Sequence, residues 1–265
     1  MRLIILIVVL SAMCGVSVSA AQERPLILVH GFLTLALGPN ACIALANETK
    51  LGSMFELQSS FVQDGLYSQG WILNEDTISC PPVDSKPTVV RFTFYSGCYE
   101  EKNAFETYTN RFEKTIKHLK ECTGANKVDI VAHSFGGLVV RNYIRTRNSS
   151  DIEKIVFLTT PQAGIGVFPI ALVMPSCLLN WIPFCPSEVL EARRTSDFMK
   201  KLNNQEKLKQ TIYTIKSSFE FFFPKSSPDA INSKESASVS CYHDDIFRPH
   251  SCPEGYEKIK EYLED

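Results

Sequence analysis

The chain lacks an excess of charge of either sign: 27 lysines and arginines stand against 29 aspartates and glutamates, for a formal net charge of −2. Without a broad basic field it is not built to grip nucleic acid. It also lacks internal repeats, a low-complexity linker and any sign of a second domain. Its apolar run near the N-terminus, LIILIVVL, is short for a membrane span, and the apolar stretch from Ile165 to Pro186 is too broken by proline to be one. No two cysteines stand at Cys-x-x-Cys spacing, and no histidine is read at ligand spacing beside a cysteine, so the usual zinc frameworks are excluded and disulfides become the expected use of sulfur.

What is present begins with Arg2, the run LIILIVVL and the small residues Ser19, Ala20 and Ala21, the pattern of a cleavable secretory signal over residues 1–20. Cleavage would remove Cys14 and leave Cys42, Cys80, Cys98, Cys122, Cys177, Cys185, Cys241 and Cys252, an even set in a chain bound for an oxidising compartment. Cys177 with Cys185 and Cys241 with Cys252 are plausible local bridges, although spacing alone leaves the connectivity open. Asn47 and Asn148 head sequons that a eukaryotic secretory route could glycosylate.

Residues 21–265 read as one domain in which strands and helices alternate. PLILVHG (25–31) and TVVRFTFY (88–95) are apolar and β-branched as buried strands require. Phe105, Phe112, Ile116 and Leu119 then mark one face of an amphipathic helix ending near Gly124. VDIVA follows as a strand, and LVVRNYIRTR as a helix with basic residues suited to its C-terminus. KIVFLTT (154–160), TIYTIKS (211–217) and SVSCY (238–242) are further strands, closed by a helix over 255–263. Such alternation builds a mostly parallel sheet covered by helices on both faces, an α/β fold.

Between the fourth of these elements and the helix after it stands Ala-His-Ser-Phe-Gly. In a strand–turn–helix nucleophile elbow, small residues two before and two after the serine let the backbone bend sharply and lift the hydroxyl clear of the sheet. Ala132 and Gly136 hold those places around Ser134. Alanine departs from the usual glycine and is still small.

The chain resembles the α/β-hydrolase fold, and within it secreted lipases and esterases, some bacterial members of which carry the same alanine. The resemblance rests on the elbow, on Val29-His30-Gly31-Phe32, on Thr160-Pro161-Gln162-Ala163-Gly164, and on the C-terminal ending from His243. It implies an oxyanion site formed by the backbone N–H groups of Phe32 and Phe135. It also implies a histidine base after the last strand. His30 belongs to the oxyanion turn, His118 to a helix surface, and His133 sits beside the serine, where it cannot fold back as base. His243 and His250 remain, with His243 favoured because it directly follows SVSCY. The triad acid follows TIYTIKS. Glu220, at the strand end, is preferred, and Asp229 is the alternative because aspartate is the commoner acid. The proline-rich segment within residues 165–210 is read as a lid.

The resemblance implies a cofactor-free serine hydrolase that cleaves carboxylic esters of lipids or other acyl esters through an acyl-enzyme on Ser134. Its partner would be a small-molecule or lipid ester, with transient contact to a lipid surface and none to nucleic acid. Phe219, Phe221, Phe222 and Phe223 would supply apolar walls. Two other readings stay open: an acyl-protein thioesterase with the same triad, and a binding protein on this fold that has lost activity.

Overall fold

The computed structural model describes residues 24–32, 54–74, 76–77, 79–82, 84–95, 102–147, 149–166, 186–204, 208–220 and 231–265. The expected signal segment, Asn47, Asn148, Cys177, Cys185, Asp229, the run Phe221–Phe223 and most of the apolar stretch 165–186 lie outside these residues.

Seven strands form one sheet: β1 (Leu26–Val29), β2 (Ser68–Leu73), β3 (Thr88–Phe92), β4 (Val128–His133), β5 (Ile152–Leu158), β6 (Thr211–Ser217) and β7 (Glu235–Val239). Their order is β2-β3-β1-β4-β5-β6-β7, and every pairing is parallel. β1 and β4 are buried along their whole length, which is why they read as unbroken apolar runs rather than alternating ones. Two separate apolar cores cover the two faces. On one lie α1 (Phe55–Gln63), through Leu57 and Phe61, and α6 (Pro253–Glu264), through Tyr256, Ile259 and Tyr262. On the other lie α2 (Ala104–Thr123), α3 (Phe135–Thr146), α4 (Ser187–Glu191) and α5 (Asp197–Asn203).

The strand order reverses between β1 and β4, because β2 and β3 are added on one side of β1 and β4 to β7 on the other. In open α/β sheets the crevice at such a switch point, outside the carboxyl ends of the strands, is where ligands bind. Ser134 follows β4 and the His30-Gly31-Phe32 turn follows β1, so both stand at that crevice.

Four of these elements were not expected from the sequence: α1, β2 and the short helices α4 and α5. β2 is an edge strand whose pairing slips between Gln69 and Ile72, and a side chain at Gly70 would meet Val90 Cγ1 at 2.5 Å. α1 hides a polar residue in its buried face: the Gln58 amide donates to the Gly70 and Val89 carbonyls at 3.0 and 2.9 Å, tying the helix to β2 and β3. The last strand also lies earlier than expected, at 235–239 instead of 238–242. The chain leaves the sheet at Ser240, whose N–H is taken by the Glu254 carboxylate, and Cys241 is drawn aside by its bridge to Cys252. Cys241–Cys252 is one of the two local bridges that spacing suggested, and Cys177–Cys185 falls outside the described residues. Cys80–Cys122 is the other among the described residues, fixing the β2–β3 connection to the end of α2.

Candidate active site

The site is built on a strained residue. Ser134 has φ 49° and ψ −123°, in the left-handed half of backbone space where residues other than glycine rarely sit. The strain is held from several sides. Ser134 N–H donates to the Leu158 carbonyl of β5 at 2.9 Å, and Gly137 N–H donates to the Ser134 carbonyl at 3.1 Å. Two glycines let neighbouring backbone close in. A Cβ on Gly136 would lie 2.2 Å from the His30 carbonyl oxygen, and one on Gly31 would lie 2.9 Å from Ser134 Cβ. The turn after β1 therefore rests directly on the elbow. This places Phe32 and Phe135 side by side, with ring centroids 5.4 Å apart.

The structure brings His243 and Glu220 to this serine. His243 Nε2 lies 3.1 Å from Ser134 Oγ, and His243 Nδ1 lies 2.7 Å from Glu220 Oε2. With a proton on Nδ1 donated to the carboxylate, Nε2 is left to accept from the serine hydroxyl. Glu220 stands three residues beyond β6 and His243 four beyond β7. Adjacent parallel strands thus deliver both groups to one end of the sheet. The two loops are tied together: Ser217 Oγ donates to the Cys241 carbonyl and accepts from Phe219 N–H, and Ser218 N–H donates to the Val239 carbonyl. His250, the alternative base, lies exposed in the turn before α6, and Asp229 falls outside the described residues.

Sequence reasoning did not find what His133 does. Its imidazole is buried, and Nε2 donates to the main-chain carbonyl of His243 at 3.0 Å. Burial, reinforced by the nearby charge of His243, holds its pKa well below the ordinary histidine value, so it is neutral at physiological pH.

Three groups of possible metal ligands exist among the described residues. His118 is one correction to the sequence reading, since it stands four residues before Cys122 on α2 with a ring nitrogen 3.6 Å from Sγ. The sulfurs of Cys80 and Cys122, and those of Cys241 and Cys252 beside Glu254, are however consumed in disulfides. In the third group both His243 nitrogens face Ser134 and Glu220. These donors fit covalent bridges and a proton-transfer chain.

A hydroxyl, an imidazole and a carboxylate in sequence at the mouth of a parallel sheet can perform acyl transfer. No curated protein matches the chain in sequence. Solved structures similar to it include a bromoperoxidase from Bacillus anthracis (16% identity, 91% of this chain and 92% of that one, TM-score 0.54). Another is the 2-hydroxy-6-oxo-6-phenylhexa-2,4-dienoate hydrolase of a Rhodococcus strain (12% identity, 92% of each chain, TM-score 0.53). A third is Est1E from Butyrivibrio proteoclasticus (12% identity, 92% of this chain and 90% of that one, TM-score 0.51). At these identities the likeness shows the shared α/β-hydrolase fold. Residues 93–240, more than half of the chain and including the elbow and Glu220, match the model of the class 2 lipases, and the protein belongs to that family of α/β-hydrolase-fold enzymes.

Proposed function

We propose that this lipase-family hydrolase is a secreted serine esterase that cleaves apolar acyl esters through an acyl-enzyme on Ser134, with His243 as base and Glu220 as the acid that orients it. The observation carrying the reading is the unbroken contact chain from Ser134 Oγ to His243 Nε2 at 3.1 Å and from His243 Nδ1 to Glu220 Oε2 at 2.7 Å.

Ser134 Oγ attacks the ester carbonyl while His243 Nε2 takes its proton. Negative charge gathers on the carbonyl oxygen, where the N–H groups of Phe32 and Phe135 receive it. Collapse of the tetrahedral intermediate breaks the bond to the leaving alcohol, which His243 protonates. Water then attacks the acyl-serine, losing a proton to His243, and the acid product departs with Ser134 restored. Glu220 holds the Nδ1–H tautomer and stabilises the imidazolium at each step.

An apolar substrate is supported by what surrounds the triad. Phe219 and Tyr242, the neighbours of Glu220 and His243, are 47% and 62% exposed with ring centroids 5.6 Å apart, an aromatic rim beside the reacting groups. Of the region 165–210 read as a lid, α4 and α5 pack through Val189, Met199 and Leu202 into the core, which leaves the proline-rich part before Pro186 as the lid of this reading. Ile165 N–H donates to the Ala192 carbonyl at 2.8 Å and Arg194 N–H to the Ile165 carbonyl at 3.0 Å, which ties Ile165 to the chain after α4. Secretion, with removal of residues 1–20, is supported by the N-terminal pattern and by two disulfides.

The test is hydrolysis of short-chain and long-chain p-nitrophenyl esters, and of an acyl thioester, by the wild type and Ser134→Ala with disulfides intact. Ester hydrolysis that disappears in the variant supports the reading. Preference for the thioester would make the protein a thioesterase. No turnover, with no labelling of Ser134 by an organophosphonate, would leave a binding protein on this fold.

A further inference from the structure

The catalytic base in this arrangement lies on neither a helix nor a strand, and Cys241 before it is held by Ser217 and by the bridge to Cys252, which tie it to β6 and α6 and not to the elbow. His243 lies in a turn after β7, and its Nε2 must stand within hydrogen-bonding reach of a serine 109 residues away in sequence. A misplacement of about 1 Å at such a contact can cost roughly a hundredfold in rate. Something must fix the main chain of His243 relative to the elbow.

His133 is placed to do so. It directly precedes Ser134, its side chain is buried, and Nε2 lies 3.0 Å from the carbonyl oxygen of His243. Because a carbonyl can only accept, Nε2 carries the proton and Nδ1 is the bare nitrogen. That nitrogen faces the turn after β1: a Cβ on Gly31 would come within 2.7 Å of it. The ring also packs edge-on against Phe247 at 4.7 Å and against the His243 ring at 4.8 Å, so it touches the base loop at two residues. One buried imidazole thus contacts the turn of the oxyanion site and the peptide of the base, and is bonded through the main chain to the nucleophile. The charged groups around it, His243, His30 and Arg248, are cationic when charged, and with burial they oppose a proton on Nδ1.

We propose that His133 is a positioning residue: a neutral imidazole whose Nε2–H, donated to the His243 carbonyl, sets the reach of the base to Ser134. The proposal rests on the reading of Ser134 as nucleophile and His243 as base. It assigns no chemical step to His133, and its proton stays on Nε2 throughout turnover.

The test uses the full-length mature protein in two variants. His133→Phe keeps a ring against Phe247 and removes the donor; His133→Gln restores an N–H near the position of Nε2. On a p-nitrophenyl ester the phenylalanine variant is expected to lose ten- to a hundredfold in kcat with KM within about twofold. Its inactivation rate by an organophosphonate should fall by the same factor, since both depend on serine–histidine alignment. The glutamine variant should recover most of that loss. Equal losses in both variants, or a folded phenylalanine variant with kcat within twofold of wild type, overturn the proposal. Histidine 15N spectra of the wild type keep the two readings distinguishable. A protonated, slowly exchanging Nε2 on His133 supports the contact even if Ser134→Ala retains activity and the nucleophile assignment fails. A proton on Nδ1 instead removes the contact whatever the nucleophile is.

Discussion

Gly136→Ala adds a single methyl group where the elbow helix meets the turn after β1. The added carbon would stand 2.2 Å from the His30 carbonyl oxygen, 2.8 Å from Val29 Cγ1 and 3.0 Å from the Val29 carbonyl oxygen. Two of those three atoms are backbone at the end of a central, fully buried strand, so no side-chain rotation relieves the contact. Relief requires the elbow and the His30-Gly31-Phe32 turn to separate by about 1 Å, enough to cost roughly a hundredfold in turnover where alignment is limiting. Overpacking a core site of this kind costs about 1–3 kcal/mol, which in a domain of this size lowers Tm by a few degrees, on the order of 2–10 °C. Gly65→Ala is the control. It forces a side chain onto φ +72° yet meets only the flexible Lys86 Nζ at 3.0 Å, so it should cost stability of about 1 kcal/mol and leave kcat unchanged. The assay is p-nitrophenyl ester hydrolysis beside thermal unfolding. A Gly136→Ala protein with wild-type kcat and Tm would refute the account of why the elbow carries glycine there.

The remaining expectations concern the acid, the buried cation, the capping of α2 and pH. Glu220→Gln keeps the shape of the acid but cannot hold the imidazolium, and kcat should fall by roughly a thousand- to ten-thousandfold; Asp229→Asn should stay near wild type, and the reverse ranking in the same assay would move the acid to Asp229. Arg141 is buried with no carboxylate partner among the described residues, donating to the carbonyls of Gln162 (2.6 Å) and Leu202 (3.2 Å) and to Asn203 Oδ1 (3.2 Å), and burial pulls its pKa down to about 10. Arg141→Ala would orphan these acceptors and loosen α5 from the elbow helix, costing about 2–4 kcal/mol in denaturant titrations. Asn103 makes no side-chain cap at the start of α2; Glu191 takes the Ala104 and Phe105 N–H groups instead, at 2.8 and 3.3 Å. Glu191→Ala should therefore cost about 1–2 kcal/mol by thermal unfolding, and Glu191→Gln less, a ranking that an exposed and idle carboxylate would not give. His133, whose folded pKa is depressed, contributes stability that is complete above its unfolded pKa near 6.5 and is lost as pH falls toward the folded value, at up to about 1.4 kcal/mol per pH unit. Unfolding free energies from pH 7 to 5 should show a shallower fall in His133→Gln, and identical slopes would contradict the buried neutral imidazole.

Local sequence determined the centre of this molecule. β1, β4 and β6 are buried runs whose apolar continuity is visible residue by residue, α2 shows its face through Phe105, Phe112, Ile116 and Leu119, and the elbow is a five-residue pattern whose small residues answer a steric demand. Those signals are short-range, so they survive without knowledge of the fold. At the sheet edges they fail. β7 is mostly exposed and carries little apolar pattern, so the more apolar SVSCY drew the expected strand three residues too far, and Gly70 and the buried Gln58 disguised β2 and α1. The partners of Ser134 were legible only as pairs of candidates, because Glu220 and His243 sit in loops whose spacing carries no periodicity. Tertiary structure alone decided that parallel β6 and β7 end together, that the His243 ring spans Ser134 and Glu220, and that His133 holds the His243 carbonyl. These contacts join groups up to 110 residues apart, and no local preference of the backbone encodes a distance of that kind.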